Sequence, residues 1–252
     1  MLELKRWLID YFLLARLPEG VAYGFVFVWI LRWLFMIFVW QITKRLSEGP
    51  FSFKMFIPSS QTSKEIFLAL MSNAIVAIPI FLFRVFGTDA GSFMPIYNDV
   101  AEYGISYLIF TGILLILTLD LYFYFTHRLL HLPWFYKYVH GIHHKSQHVQ
   151  ASTGISFHPV EAFILYSFPT PLLLVLPLQH DLLNVFTWFV IFHVTRIHAE
   201  IEFPLFKSPT HFHTSEHHHL HHSHSEGNYG LIFHWWDRFF KTEIRGMNGN
   251  HK

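Results

Sequence analysis

The stretch YLIFTGILLILTLDLYFYFTHRLLH, residues 107–131, decides the architecture. From Tyr107 to Phe125 it is apolar over the length a membrane helix needs, about 20 residues, and Asp120 is its one acid. It then delivers His127 and His131, four residues apart. Positions i and i+4 share one helix face, so both imidazoles point the same way at the end of an apolar span.

The composition around this stretch agrees with a chain whose solvent is partly lipid. Of 252 residues, 52% are hydrophobic and 14% charged, against roughly a quarter charged in an ordinary soluble domain. A disordered or collagen-like chain is excluded. The length fits one large domain or two small ones. There is no cysteine, which excludes disulfides and thiolate metal sites. Lys+Arg 18 against Asp+Glu 17 leaves a formal charge of +1, which points to no polyanionic partner. The unusual number is 20 histidines, since histidine is the commonest metal ligand and is scarce in membrane segments without a task.

Four further segments are apolar enough to consider as spans: Val21 to Ile42 with Arg32 inside it, Ile66 to Phe83, Val160 to Leu178, and Leu182 to Ile197 with His193 and Arg196. Pro169, Pro171 and Pro177 predict that the Val160 segment is kinked, broken or re-entrant. Ahead of them, Leu4, Trp7, Leu8, Tyr11, Phe12 and Ala15 recur at helical spacing. That pattern fits a helix lying on the membrane or a soluble helix covering the fold. Asp10 and Arg16 interrupt the N-terminal apolar stretch, so no cleavable signal is expected. Loop charge sets orientation. Lys44, Arg45, Lys54 and Lys64 follow the first span, Arg128, Lys137 and Lys145 follow the third, and the loops at Gly87 to Tyr103 and Gln179 to Asp181 carry neither Lys nor Arg. The expectation is an all-α, multi-pass membrane protein with about four transmembrane helices in two hairpins open to the cytosol, and a cytosolic, histidine-rich helical catalytic region. The first span fits this alternation badly.

Two more clusters have the pattern His-x-x-His-His: His140, His143 and His144, then His218, His221 and His222. On a 3.6-residue helix the adjacent pair fans out by about 100°, so one cluster can serve two neighbouring ions. At this histidine content about 0.1 copy is expected by chance, and two copies therefore carry weight. Eight imidazoles exceed what one ion holds. Imidazole suits zinc, copper, iron and nickel, so the ligands alone do not choose the metal. Breaking an unactivated C–H bond of an apolar lipid calls for activated oxygen, which iron supplies.

From Asp120 to Thr242 the chain resembles the fatty acid hydroxylase / sterol desaturase superfamily of membrane non-haem di-iron enzymes. The resemblance rests on His127-Arg-Leu-Leu-His131, His140-Gly-Ile-His143-His144, Phe157-His158-Pro159-Val160-Glu161, His198 before Pro204, and His217-His218-x-x-His221-His222. The tail Gly227-Asn228-Tyr229-Gly230…Trp235-Trp236-Asp237-Arg238-Phe239-Phe240 completes it. That tail is similar to C4-methylsterol oxidases. The chain has Phe240-Lys241-Thr242 where the family usually has Phe-Gly-Thr.

The resemblance implies a di-iron centre held by His127, His131, His140, His143, His144, His218, His221 and His222, with His193, His198 or both completing it. It divides the chain into 1–106, an interfacial helix and spans, and 107–252, the catalytic domain. Candidates for orienting the ligands are Asp120, His158, Glu161 and His217. Asp120 fits either a histidine of another cluster or an ion pair with Arg128 or Arg196, Glu161 reads rather as a helix cap, and Asp237 with Arg238 reads as an ion pair. His211, His213 and His219 crowd the last box. A minority of Phe110, Phe123, Phe125, Phe163, Phe168, Phe186, Phe189 and Phe192 could wall an apolar channel.

The implied activity is O₂-dependent hydroxylation or desaturation of a membrane lipid such as a sterol or fatty acyl chain. No nucleotide, flavin or haem signature is present, so the two electrons would come from a separate donor such as a cytochrome b5, ferredoxin or reductase. The implied location is the endoplasmic reticulum or a bacterial inner membrane, with the active site cytosolic. The rival readings are a histidine-rich zinc transporter and a zinc-dependent membrane hydrolase with Glu216 or Glu200 as base.

Overall fold

Helix α2, Ile105–Leu130, is the beam from which the described part of the protein is built. The computed structural model describes residues 30, 34, 38, 63–72, 96–146, 149, 152–168, 172, 175–198 and 211–245. The expected surface helix at Leu4 to Ala15 lies outside the described residues, as do most of the Val21 to Ile42 and Ile66 to Phe83 spans. Ile30, Leu34 and Phe38 are helical and exposed. Residues 63–72 form helix α1, which buries Glu65, Ala69 and Ser72 on one face.

Among the described residues, α2 is the one helix long and apolar enough to cross a membrane. Its 26 residues extend about 39 Å at about 1.5 Å each. It has two faces. Ile105, Ile109, Ile113 and Leu117 stand exposed at four-residue spacing, an apolar stripe suited to lipid. Thr111, Leu115, Leu119, Asp120, Tyr124, His127 and Leu130 are buried on the other side.

The chain then turns at Leu132. Helix α3 (Pro133–Phe135), a π-helical turn (Tyr136–His140) and helix α4 (Gly141–His144) run on without a break. The π turn shifts the register by one residue and re-aims the side chains of α4, a device common at functional sites. It requires glycine at 141, because a Cβ there would lie 2.5 Å from the Tyr136 carbonyl oxygen.

Helix α5, Pro159–Tyr166, has only 8 residues and ends at Ser167, ahead of Pro169. The Val160 to Leu178 segment is therefore broken, as its prolines predict, and α5 by itself spans about 12 Å, too short to cross a membrane. Helix α6, His180–His198, lies beside α2 and runs in the same direction, toward the histidines. Helix α7 (Ser215–His224) and the short α8 (Trp235–Phe239) complete the order.

The all-α expectation needs one small correction. Strands β1 (Ile96–Tyr97) and β2 (Leu178–Gln179) pair in parallel. This pairing ties the segment before α2 to the start of α6. Gln179 adds two side-chain bonds there, to the Asn98 carbonyl at 3.0 Å and from the Leu182 N–H at 2.7 Å. The core lies between α2, α6 and the loop before α8, where Leu115, Leu119, Phe186, Val194, Ile197, Leu231 and Ile232 pack together.

Asp120 departs from both sequence readings. It meets neither a histidine nor an arginine. Its Oδ1 accepts the Ile232 N–H at 2.7 Å and the Phe233 N–H at 3.2 Å. Arg128 donates instead to the Tyr124 hydroxyl, and Arg196 to the His213 carbonyl. Asp237 and Arg238 do not form the expected ion pair. Asp237 accepts from the Tyr229 and Gly230 N–H groups and the Thr242 hydroxyl, whereas Arg238 pairs with Glu243. Lys241, where the family usually has glycine, sits at φ 57°, a left-handed conformation that glycine adopts without cost. Replacing Asp120 with alanine strands the two N–H groups it holds. The expected loss is about 1–3 kcal/mol, read as a lower thermal midpoint in detergent.

Candidate metal centre

Nine imidazoles converge at the C-terminal end of α2, in two adjoining groups. The first is His127, His131, His140, His144 and His221; the second is His143, His198, His218 and His222. Within each group the ligand-capable atoms lie within 4.8 Å of one another. The two His-x-x-His-His clusters split in complementary ways. His140 and His144 go to the first group and His143 to the second, while His218 and His222 go to the second and His221 to the first. The fan between adjacent helical residues produces this exchange.

The loop carrying Gly227-Asn228-Tyr229-Gly230 explains its own sequence. Its N–H groups at Tyr229, Gly230, Ile232 and Phe233 turn to Asp237 and Asp120. Its carbonyls face the histidines. Gly227 accepts from His221 Nδ1 at 2.7 Å, Tyr229 from His127 Nδ1 at 3.0 Å and Leu231 from His193 Nε2 at 2.9 Å. Asn228, at φ 50°, donates to the carbonyls of His217 and Ile244 and so fixes the loop to α7.

In the second group, His143 Nδ1 points to the Ser156 carbonyl at 3.4 Å and His198 Nδ1 to the Val194 carbonyl at 2.7 Å. Gly154 lies tight against this half: a Cβ there would sit 3.0 Å from His198 Nδ1 and 3.1 Å from the Val194 oxygen. In the first group, His140 Nδ1 meets Glu161 Oε1 at 2.6 Å, with both side chains buried.

The four carbonyls put the proton on Nδ1 of His127, His143, His198 and His221 and leave Nε2 as a lone pair; Glu161, whose carboxyl burial pushes well above the usual range, does the same for His140 once ionised. The Nε2 atoms of His127 and His140 then face each other at 3.1 Å, and those of His143 and His198 at 3.5 Å. Two lone pairs at that distance in a dry pocket repel, and a cation between them turns the repulsion into coordination. Each group holds such a pair, so the residues fit two metal ions. Burial keeps the ligands neutral. It holds His221 at about 4, against the hydrogen bond to Gly227. It also holds His140, His143, His218 and His222 well below the ordinary value, and neighbouring imidazoles add to the effect.

The remaining candidates separate cleanly. His193 belongs to neither group; it is buried against the Leu231 carbonyl, so His198 alone supplies the extra imidazole. His158 caps α5, its Nδ1 accepting the Val160 N–H. His217 closes the capping box of α7 with Thr214. With His234 and Glu243 it forms a third group of donors. There the Nδ1 of His217 already accepts the Thr214 N–H, and Glu243 is engaged by Arg238 and Arg245, so this group works as an anchor. Glu161, read from the sequence as a cap or as a support for the histidines, meets His140, 21 residues away, a partner that its sequence context did not name. Glu216 and His219 are exposed, and Glu200 lies outside the described residues. Of the phenylalanines, Phe168 and Phe186 are core, whereas Phe110, Phe125 and Phe163 are exposed. A polar cavity of about 570 Å³ opens beside His131, Tyr136 and Tyr229.

The fatty acid hydroxylase family profile matches residues 112–242, just over half the chain. Among curated relatives, a Delta(7)-sterol 5(6)-desaturase of Gibberella zeae is 29% identical over 90% of this chain and 68% of its own. Methylsterol monooxygenase 1 of Rattus norvegicus is 36% identical over 50% of this chain and 44% of its own. Lathosterol oxidase of Rattus norvegicus is 30% identical over 71% and 60%. The chain thus spans two thirds of the first relative and less of the other two. No solved structure matches it.

Two outcomes are expected. Glu161→Gln weakens the partner that orients His140 and lowers metal affinity about 10–100-fold, measured by competition with a chelator. The pH response arises from the buried neutral imidazoles. For His221 the folded value of about 4 lies below the unfolded value of about 6.5, so the unfolded chain binds more protons between these limits. Stability of the metal-stripped protein is therefore flat above about pH 7 and falls as pH drops through that window, which a series of thermal melts checks.

Proposed function

This chain belongs to the fatty acid hydroxylase family, and on that premise we propose that it is an O₂-dependent lipid oxidoreductase that hydroxylates or desaturates a membrane lipid, a sterol or an acyl chain. The observation that carries the reading is the pair of histidine groups, five and four imidazoles, placed against each other at the end of the apolar helix α2. The sterol-directed relatives support the substrate class. Iron fits the donor set, since imidazole is among the ligands that suit it.

In this reading His127, His131, His140, His144 and His221 hold one iron and His143, His198, His218 and His222 the other. The nine imidazoles would be shared between the two ions. Iron held there would supply the activation of O₂ that attack on an unactivated C–H bond requires. The chain's own residues do the rest. The Gly227, Tyr229, Ser156 and Val194 carbonyls and Glu161 fix the tautomers of five ligands. Six of the nine imidazoles are buried, which limits access of water to that side of the site, while His131, His144 and His222 are half-buried. Placement of the bound carbon decides between hydroxyl and double bond.

The described residues are mostly helical, in a family of membrane enzymes, and among them one helix is suited to crossing the bilayer. We extend this to a multi-pass chain of about four spans in two hairpins. Residues 1–106 form a membrane-anchoring part, and residues 107–252 a catalytic part with its centre at the cytosolic edge of the endoplasmic reticulum or a bacterial inner membrane. The β1–β2 pairing supports the hairpins, because it joins the two loops that lack Lys and Arg at the end of α2 away from the histidines. A separate donor, such as a cytochrome b5, ferredoxin or reductase, delivers two electrons per turnover.

The test is lipid profiling of cells carrying the wild type or His143→Ala, with metal analysis and oxygen uptake on the purified proteins. The wild type is expected to hold two irons, consume O₂ and alter the sterol or acyl profile, and the variant to return all three toward background. Identical profiles from a metal-loaded wild type and the variant overturn the reading. A single zinc with hydrolysis and no oxygen uptake would place the chain among hydrolases.

A further inference from the structure

A buried carboxylate lies outside the residues matched by the family, on helix α1. Glu65 is 2% exposed. It accepts the hydroxyls of Ser146 at 2.7 Å, Ser152 at 2.6 Å and Thr153 at 3.1 Å. These three donors bracket the segment leading from His144 to Ser156, and Glu65 gathers them onto one carboxylate. One turn further along α1, Ala69 packs against Ile155 of that segment and Ile191 of α6. Beyond it, Ser72 donates to the Phe157 carbonyl at 2.6 Å.

The clamp acts on only one half of the centre. Ser156 offers its carbonyl to His143, Phe157 stacks its ring 5.0 Å from that of His143, and Gly154 lies against His198. The other half leans on different supports: Glu161 for His140, and the loop carbonyls of Tyr229 and Gly227 for His127 and His221. The two halves thus have separate outer supports, one inside the matched region and one fastened from α1.

We propose that Glu65 is a positioning residue for the His143, His198, His218 and His222 half, holding Ser146 and residues 152–156 so that His143 and His198 keep their ligating geometry. The inference rests on the di-iron reading above. A carboxylate suits the task because it accepts several hydroxyls at once, and hydrogen bonds to a charged acceptor are about twice as strong as neutral ones. Its burial keeps water from competing for those donors. The catalytic unit then includes α1 as well as the matched residues.

The experiment uses the full chain in nanodiscs, loaded with ⁵⁷Fe, and compares wild type, Glu65→Ala, Glu65→Gln and the double variant Ser152→Ala/Thr153→Ala. Iron per chain and the Mössbauer spectrum are measured, with thermal melts as a check on folding. The wild type is expected to hold two coupled irons. Glu65→Ala should fall to about half that iron, with the coupled signal replaced by that of an isolated ion. Glu65→Gln, which keeps an acceptor of the same shape, should restore most of the second iron, and the double variant should lose a part of it with its fold intact. Two coupled irons in Glu65→Ala overturn the proposal, as does a Glu65→Gln loss equal to that of alanine. If Glu65→Ala fails to fold or loses both irons equally, the double variant decides: a lost second iron supports the clamp, and an intact pair overturns it. A wild type that takes up no metal overturns the di-iron reading itself, and this inference with it.

Discussion

The position of one proton on each buried imidazole is the constraint on which the centre depends. A neutral histidine with its proton on Nδ1 offers Nε2 to an ion, and the reverse tautomer does not. The chain fixes this with backbone carbonyls at Ser156, Val194, Gly227 and Tyr229 and with the carboxylate of Glu161. Carbonyls suit the role because they accept and never donate, so they leave only one tautomer satisfied. Their cost is that each must be held in place by its own N–H partners. Asp120 and Asp237 meet that requirement for the loop at 229–233, which explains why two carboxylates are buried in a region otherwise short of charge.

The arrangement also solves a packing problem. Nine imidazoles brought together repel as soon as they are charged, and burial penalises the charged form further. Both effects work toward neutral rings, which is the state a metal needs. In each group two Nε2 atoms face each other, at 3.1 and 3.5 Å, an approach that a shared cation would favour. Such a cluster is stable in proportion to the cations it holds, and metal uptake and stability are coupled in the same way as in other sites whose ligands exist only in the folded chain.

The split of each His-x-x-His-His cluster between the two groups shows how helical geometry makes two adjoining donor groups from few residues. A helix that carries ligands at i, i+3 and i+4 presents two of them to one side and one to the other. Two such helices facing each other complete both sites. The π turn before Gly141 contributes by rotating His140 toward His127, its partner 13 residues earlier.

The sequence by itself marked most of the histidines that the fold brings together, because spacing on a helix is a local property: His127 with His131, and the two clusters with their adjacent pairs, could be placed on faces without knowing the fold. It also showed the broken Val160 segment, since prolines act on their own backbone. Only the tertiary structure decided the contacts made across long separations. Asp120 turned to a loop 112 residues away, Glu161 to His140 and His198 rather than His193 to the centre. The short parallel pair β1–β2 and the clamp from Glu65 belong to the same kind. Carboxylates and carbonyls have no periodicity that marks their partners, and their choice depends on which donors are buried beside them once the helices have packed.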